Sequence, residues 1–116
     1  MKKSRFAIII KVRNIDLCRY FYQAIVGLGE PIINSSFRVE FKVGTDCALI
    51  LEQGNTEPSP AQNISWKILI PDLVQFKERL IDYGCESPLE IKEFNGETLM
   101  GFKDPEGNYF YIESES

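Results

Sequence analysis

Residues Arg5 to Val12 run through apolar and β-branched side chains almost without a break, the pattern of a buried strand. Asn14 or Asp16 then offers an N-cap, and Leu17, Tyr20, Phe21, Ile25 and Leu28 recur at helical spacing. Gly27 and Gly29 suit the end of that helix before Pro31. The period then changes to two. After a short strand at Pro31 to Asn34, Phe37, Val39, Phe41 and Val43 alternate with Arg38, Glu40 and Lys42, and Gly44-Thr45-Asp46 turns into a strand from Cys47 to Glu52. This half reads βαβββ.

Gly54 to Pro60 has no apolar period and contains two prolines, the composition of a linker. The same order then begins again. Ile64 to Ile70 is a strand, and Asp72-x-x-Gln75 has the form of a capping box ahead of a stripe of Leu73, Phe76, Leu80 and Tyr83, with Gly84 past the end. Strands follow near Leu89 to Phe94, from Glu97 to Lys103 and from Tyr109 to Glu113, joined by the turns Asn95-Gly96 and Asp104-Pro105-Glu106-Gly107-Asn108. Asp16-Leu17 aligns with Asp72-Leu73, Tyr20 with Phe76, Gly29 beside Gly84, and Leu51-Glu52 with Ile112-Glu113. The chain is therefore expected to hold a first βαβββ module at 1–53, a linker at 54–62 and a second βαβββ module at 63–116. One irregular α+β domain with fortuitous internal likeness is the alternative.

Composition narrows the function more than the fold. At 116 residues, with 44% hydrophobic and 26% charged, the chain has the balance of a globular protein. No apolar run approaches the roughly 20 residues of a membrane span. The basic start, Met1-Lys2-Lys3-Ser4-Arg5, is followed by too short an apolar stretch to be a secretion signal, so a cytoplasmic setting and no membrane partner are expected. A net charge of −4 speaks against nucleic acid, whose phosphates call for clustered Lys and Arg, and favours a neutral or cationic ligand. Cys18, Cys47 and Cys85 lie far apart with no C-x-x-C pair, so reduced, partly buried thiols are expected. There is no histidine, which removes His-based nucleophile systems and His-containing metal sites. Any general base must be Asp, Glu, Lys, Tyr or Cys.

Two segments resemble the vicinal-oxygen-chelate superfamily, the glyoxalase and bleomycin-resistance type. One is Val12 to Gly29, with its acidic cap, Phe21-Tyr22 and Leu28-Gly29; the other runs from Phe102 to Glu113 through Asp104-Pro105-Glu106-Gly107-Asn108. The resemblance implies an α+β fold in which two tandem βαβββ modules form curved mixed sheets around a cup-shaped cavity. It also implies pairing of edges into a homodimer. It places the family's metal positions at Ala7, Ile50, Ser65 and Tyr111, where no His, Glu or Gln stands. A metal-free protein with no cofactor is expected, because divalent ions need several converging N, O or S donors. Glu52 and Glu113, at matching module ends, are either a weak oxygen site or solvated strand ends.

Strand alternation selects the residues expected to line the cup. Ala7, Ile9 and Lys11 should share one face of the first strand, with Ile8, Ile10 and Val12 beneath the helix. Ser65, Lys67 and Leu69 should do the same in the second module, with Trp66, Ile68 and Ile70 on the helix side and Tyr109, Tyr111 and Glu113 inward on the last strand. The ligand-contact set is thus Ala7, Ile9, Lys11, Ile50, Glu52, Ser65, Lys67, Tyr109, Tyr111 and Glu113. Each polar member has a second reading: the lysines can carry their ammonium groups to solvent and the tyrosines can complete a core. The leading functional reading is a binding protein that sequesters a small molecule with a flat or hydrophobic body and a polar end. A glyoxalase-like lyase or isomerase using Tyr111, Lys67 or Glu113 as acid or base, or an atypical metal, is the second. A regulatory or interaction module with a self-filled cup is the third.

Overall fold

Strand β1 (Phe6–Val12) buries Ile10 and Val12 and turns Ile9, at 60% exposure, the other way, so it is covered on one face only. A computed structural model describes residues 3–55, 64–85 and 88–115. The chain divides into two compact units, Met1–Pro58 and Ser59–Ser116. The expected linker at 54–62 lies outside the described residues from Thr56 on.

In the first unit β1 leads to α1 (Ile15–Tyr20), which continues as a π-helical turn over Phe21–Ile25. The cap is Asn14 and not Asp16. Asn14 is non-helical (φ −121°), and its side-chain oxygen accepts from the Leu17 N–H at 3.1 Å. Asp16 sits inside the first turn and pairs with Arg19 at 2.6 Å. That two-residue shift changes the repeat. Cys18 donates its N–H to the Asn14 carbonyl as Phe76 does to that of Asp72, so Cys18 and not Tyr20 matches Phe76. The buried positions are accordingly Ile15, Cys18, Phe21, Tyr22, Ile25 and Val26, while Leu17 and Tyr20 of the expected stripe are 42% and 55% exposed. The polar side chains Asp16, Arg19 and Gln23 recur at i, i+3 and i+7 on the opposite side, and that stripe, more than the apolar positions alone, marks the outer face. Gln53 fastens the corner, accepting from the Ile15 N–H and donating to the Arg13 carbonyl.

Strands β2 (Ile33–Asn34), β3 (Arg38–Lys42) and β4 (Cys47–Gln53) complete a sheet of order β1-β4-β3-β2, with β1 parallel to β4 and the other pairs antiparallel. Its covered face carries Ile10, Val12, Val39, Phe41, Leu49 and Leu51, all buried.

The second unit repeats the order as β5 (Lys67–Ile70), α2 (Leu73–Tyr83), β6 (Glu90–Phe94), β7 (Glu97–Lys103) and β8 (Tyr109–Ser114), in a sheet β5-β8-β7-β6. The match of strand order and of parallel and antiparallel pairs makes the fold α+β with two mixed four-stranded sheets, curved and not closed. Asp72 caps α2, accepting from the Gln75 N–H at 3.0 Å, and Gly84 ends it with φ 102°, a conformation that costs a Cβ-bearing residue energy. Phe76 and Leu80 sink into the core with Ile68, Met100, Phe102, Phe110 and Ile112, while Leu73 is half-buried and Tyr83 is 38% exposed. Trp66 stacks on Phe110 at 6.5 Å, on the helix side as alternation predicts. Ser65 departs from expectation: β5 begins only at Lys67, so Ser65 lies before the strand and is exposed.

The Asp-Pro-x-Gly-Asn segment explains itself. Buried Asp104 accepts from the N–H groups of Glu106 and Asn108, both at 2.9 Å, and from the Asn108 side chain. This Asx-type turn aims β8 back along β7.

Candidate functional site

Residues paired across a ladder point to the same side of a sheet, so register decides which side chains meet. On the face of the second sheet turned away from α2 Lys67 opposes Tyr111, Leu69 opposes Glu113, Gly101 opposes Tyr111, and Glu90 opposes Gly101. Gly101 is the floor of this arrangement. A Cβ there would lie 2.1 Å from the Tyr109 hydroxyl, so only glycine lets the phenol cross the sheet toward β6.

Tyr109 donates to Oε2 of Glu90 at 2.8 Å and Tyr111 donates to the same oxygen at 3.1 Å. Their rings meet edge to face with centroids 5.4 Å apart. Lys92, two residues along β6, places its ammonium 5.1 Å from the Tyr111 ring centroid and 3.9 Å from Oε1 of Glu90. Beside this cluster Lys67 pairs with Glu113 at 2.6 Å and Glu97 at 3.6 Å.

The electrostatics follow from those contacts. The bond from Tyr109, then that from Tyr111 and the charge of Lys92, hold the Glu90 carboxyl below its usual range against the opposing effect of burial. Burial, then the bond to Glu90, pushes the Tyr109 phenol up to about 12. The Glu113 contact raises Lys67, and Tyr111 followed by Glu90 raises Lys92. At neutral pH Glu90 is thus a carboxylate, Tyr109 a neutral phenol, and Lys67 and Lys92 are ammonium groups.

The first sheet carries a different face. Register brings Ala7 beside Ala48, Ile9 beside Ile50, and Lys11 beside Glu52, with Glu40 and Arg38 opposite Ile50 and Glu52. The stem of Lys11 lies against Gly54, where a Cβ would come within 3.0 Å of it. Arg38 pairs with the buried Glu40 at 3.1 Å. Aliphatic side chains dominate the rest.

Of the ten residues selected from the sequence, Lys67, Tyr109, Tyr111 and Glu113 come together on one face, Ala7, Ile9, Lys11, Ile50 and Glu52 share another, and Ser65 stands ahead of its strand. Sequence reasoning missed Glu90, Lys92, Glu97 and Gly101. Their signal was present: the Asn95-Gly96 turn pairs Phe94 with Glu97, and counting back sets Glu90 opposite Gly101. A separate hollow of about 330 Å³ at the tip of that hairpin is lined by Glu93 to Thr98, every one exposed, and does not include the tyrosines.

The four positions that the resemblance marks for a metal do not fit one. Ala7 and Ile50 are hydrocarbon, and the Tyr111 hydroxyl is committed to Glu90. Among the described residues no three Asp, Glu or Cys side chains gather as a metal-binding group.

Two βαβββ modules in this strand order, each with one sheet face packed on its own helix, make the vicinal-oxygen-chelate fold. Solved structures agree over the full length. The chain is similar to a lactoylglutathione lyase from Agrobacterium tumefaciens (18% identity, 99% of this chain and 96% of that one, TM-score 0.70). It is similar also to a glyoxalase/bleomycin resistance protein from Catenulispora acidiphila (16%, 99% and 100%, 0.68) and to the oxidase ChaP-H2 (17%, 100% and 94%, 0.72). No protein-family model matches the sequence, and no curated protein matches it. The likeness is one of fold, on which lyase, oxidase and resistance protein all stand. Among the described residues, no helix is long and apolar enough to cross a membrane.

Proposed function

We propose that this chain is a metal-free binding protein that captures a small molecule stoichiometrically through the sheet faces turned away from its helices. The observation that carries this reading is the convergence of Tyr109 and Tyr111 on the Glu90 carboxylate over Gly101, a recognition surface organised in advance of any ligand. Lys67 and Glu113, with Ser65 at the strand entry, are the further contacts in this module. Exposed Ile9, beside half-buried Ala7 and buried Ile50 and flanked by Lys11 and Glu52, offers an aliphatic contact on the other.

The direction of each pKa shift supports capture over proton transfer. A general acid or base works best with a pKa near the working pH. Glu90 is moved down, and Tyr109, Lys67 and Lys92 are moved up, all away from neutrality. The proposal includes a homodimer, because β1, β2, β5 and β6 are edge strands, and β1 and β6 carry the exposed side chains Phe6, Ile9, Ile91 and Phe94. It includes a cytoplasmic setting, which suits three unbridged cysteines.

Tyr111→Ala is the decisive variant. Loss of a buried tyrosine that is a binding hot spot costs on the order of 2 kcal/mol, about thirtyfold in affinity. Titration of wild type and variant with a panel of small aromatic molecules, followed by Trp66 fluorescence, should show that loss in a folded protein. An unchanged affinity, or measurable lactoylglutathione lyase turnover with added divalent metal, would sink the reading.

A further inference from the structure

We propose that the phenol–carboxylate patch of the second module is a site for organic cations, and that the Lys92 ammonium is its built-in occupant. The inference rests on the small-molecule reading above and names the ligand class. Lys92 belongs to β6, an edge strand, and its side chain is 53% exposed, yet it reaches across the glycine floor to lie over the Tyr111 ring. Its distance of 5.1 Å is inside the roughly 6 Å over which a cation is held by an aromatic face. Glu90 divides its oxygens accordingly: Oε2 takes both phenols, and Oε1 is the one turned to the ammonium. Take the lysine away, and a ring face, a second ring at 5.4 Å and a carboxylate oxygen remain, the chemistry that recognises a quaternary or aromatic ammonium.

A ligand anion fits poorly. It would meet Glu90, or would have to take both phenols from it, and the neighbouring Lys67 is already engaged by Glu113 and Glu97. A cation only has to displace Lys92, whose exposed contacts are individually weak.

The test uses the full chain at fixed ionic strength with three probes, benzyltrimethylammonium, benzyl alcohol and benzoate, followed by two-dimensional amide NMR. Benzyltrimethylammonium should shift the amides of Lys92, Gly101, Tyr109 and Tyr111 and bind at least about tenfold more tightly than the other two. Lys92→Met, at an exposed position, should tighten it by on the order of threefold by removing the competitor, and Glu90→Gln should weaken it by a similar factor. If benzyl alcohol or benzoate binds these residues as well as the cation does, or if Lys92→Met weakens the cation or leaves it unchanged, the cation assignment falls and the small-molecule reading stands. If none of the three probes perturbs this face, both fall.

Discussion

At the scale of single residues, the site depends on one missing side chain. Gly101 lacks the Cβ that would strike the Tyr109 hydroxyl, and this lets a residue of β8 bond a residue of β6 across the intervening strand. The phenol that results is held protonated, with its pKa at about 12 against an ordinary 10. The sign of the linkage follows: the folded form binds this proton more tightly than the unfolded chain, so the contribution is fully present below pH 10 and is lost as the pH rises toward about 12. Unfolding in denaturant across that range should therefore show wild type losing stability more steeply than Tyr109→Phe. Parallel alkaline limbs would mean that Tyr109 is not held as described. Period two was enough to set Tyr109 and Tyr111 on a common face. That they would share Glu90 was not legible, because a phenol can point along several directions from the same strand and only its neighbours select one.

At the scale of elements, the two helices show how far local chemistry reaches. Asp72, Gln75 and Gly84 mark both ends of α2, and the structure uses Asp72 and Gly84 as caps. The start of α1 offers two capping candidates two residues apart, Asn14 and Asp16, and only one can have its backbone outside the helix. Asn14→Ala should cost about 1 kcal/mol in unfolding free energy, whereas Asp16→Ala, at a side chain 83% exposed, should be close to neutral. Equal losses in thermal or urea unfolding would reverse the assignment and restore the alignment of Asp16 with Asp72. Beyond Tyr20 the hydrogen bonds widen into a π-helical turn, which no residue in Phe21–Ile25 announces. The strands were easier, since alternation and the turns Gly44-Thr45-Asp46 and Asn95-Gly96 bound them; β2 starts two residues late, at Ile33, and β5 three, at Lys67.

At the scale of the whole molecule, repetition carries most of the argument. Each module ends in edge strands, and the proposed pairing of edges between copies predicts twice the mass of the chain in solution. Light scattering over a range of concentrations should find that dimer; a monomeric mass throughout would reject it. The order βαβββ twice over, the alternation of strand faces, the caps of α2 and the lack of histidine were all determined by the sequence, because each is read from side chains close together along the chain. Tertiary structure decided the rest: which of two caps begins α1, that Leu17 and Tyr20 of its apolar positions stay outside, and how Glu90, Lys92, Gly101, Tyr109 and Tyr111 meet. These five come from three strands, with bonded partners up to 21 positions apart in the chain. Their contact arises from strand register, a property of pairs of strands that no single stretch of sequence encodes alone.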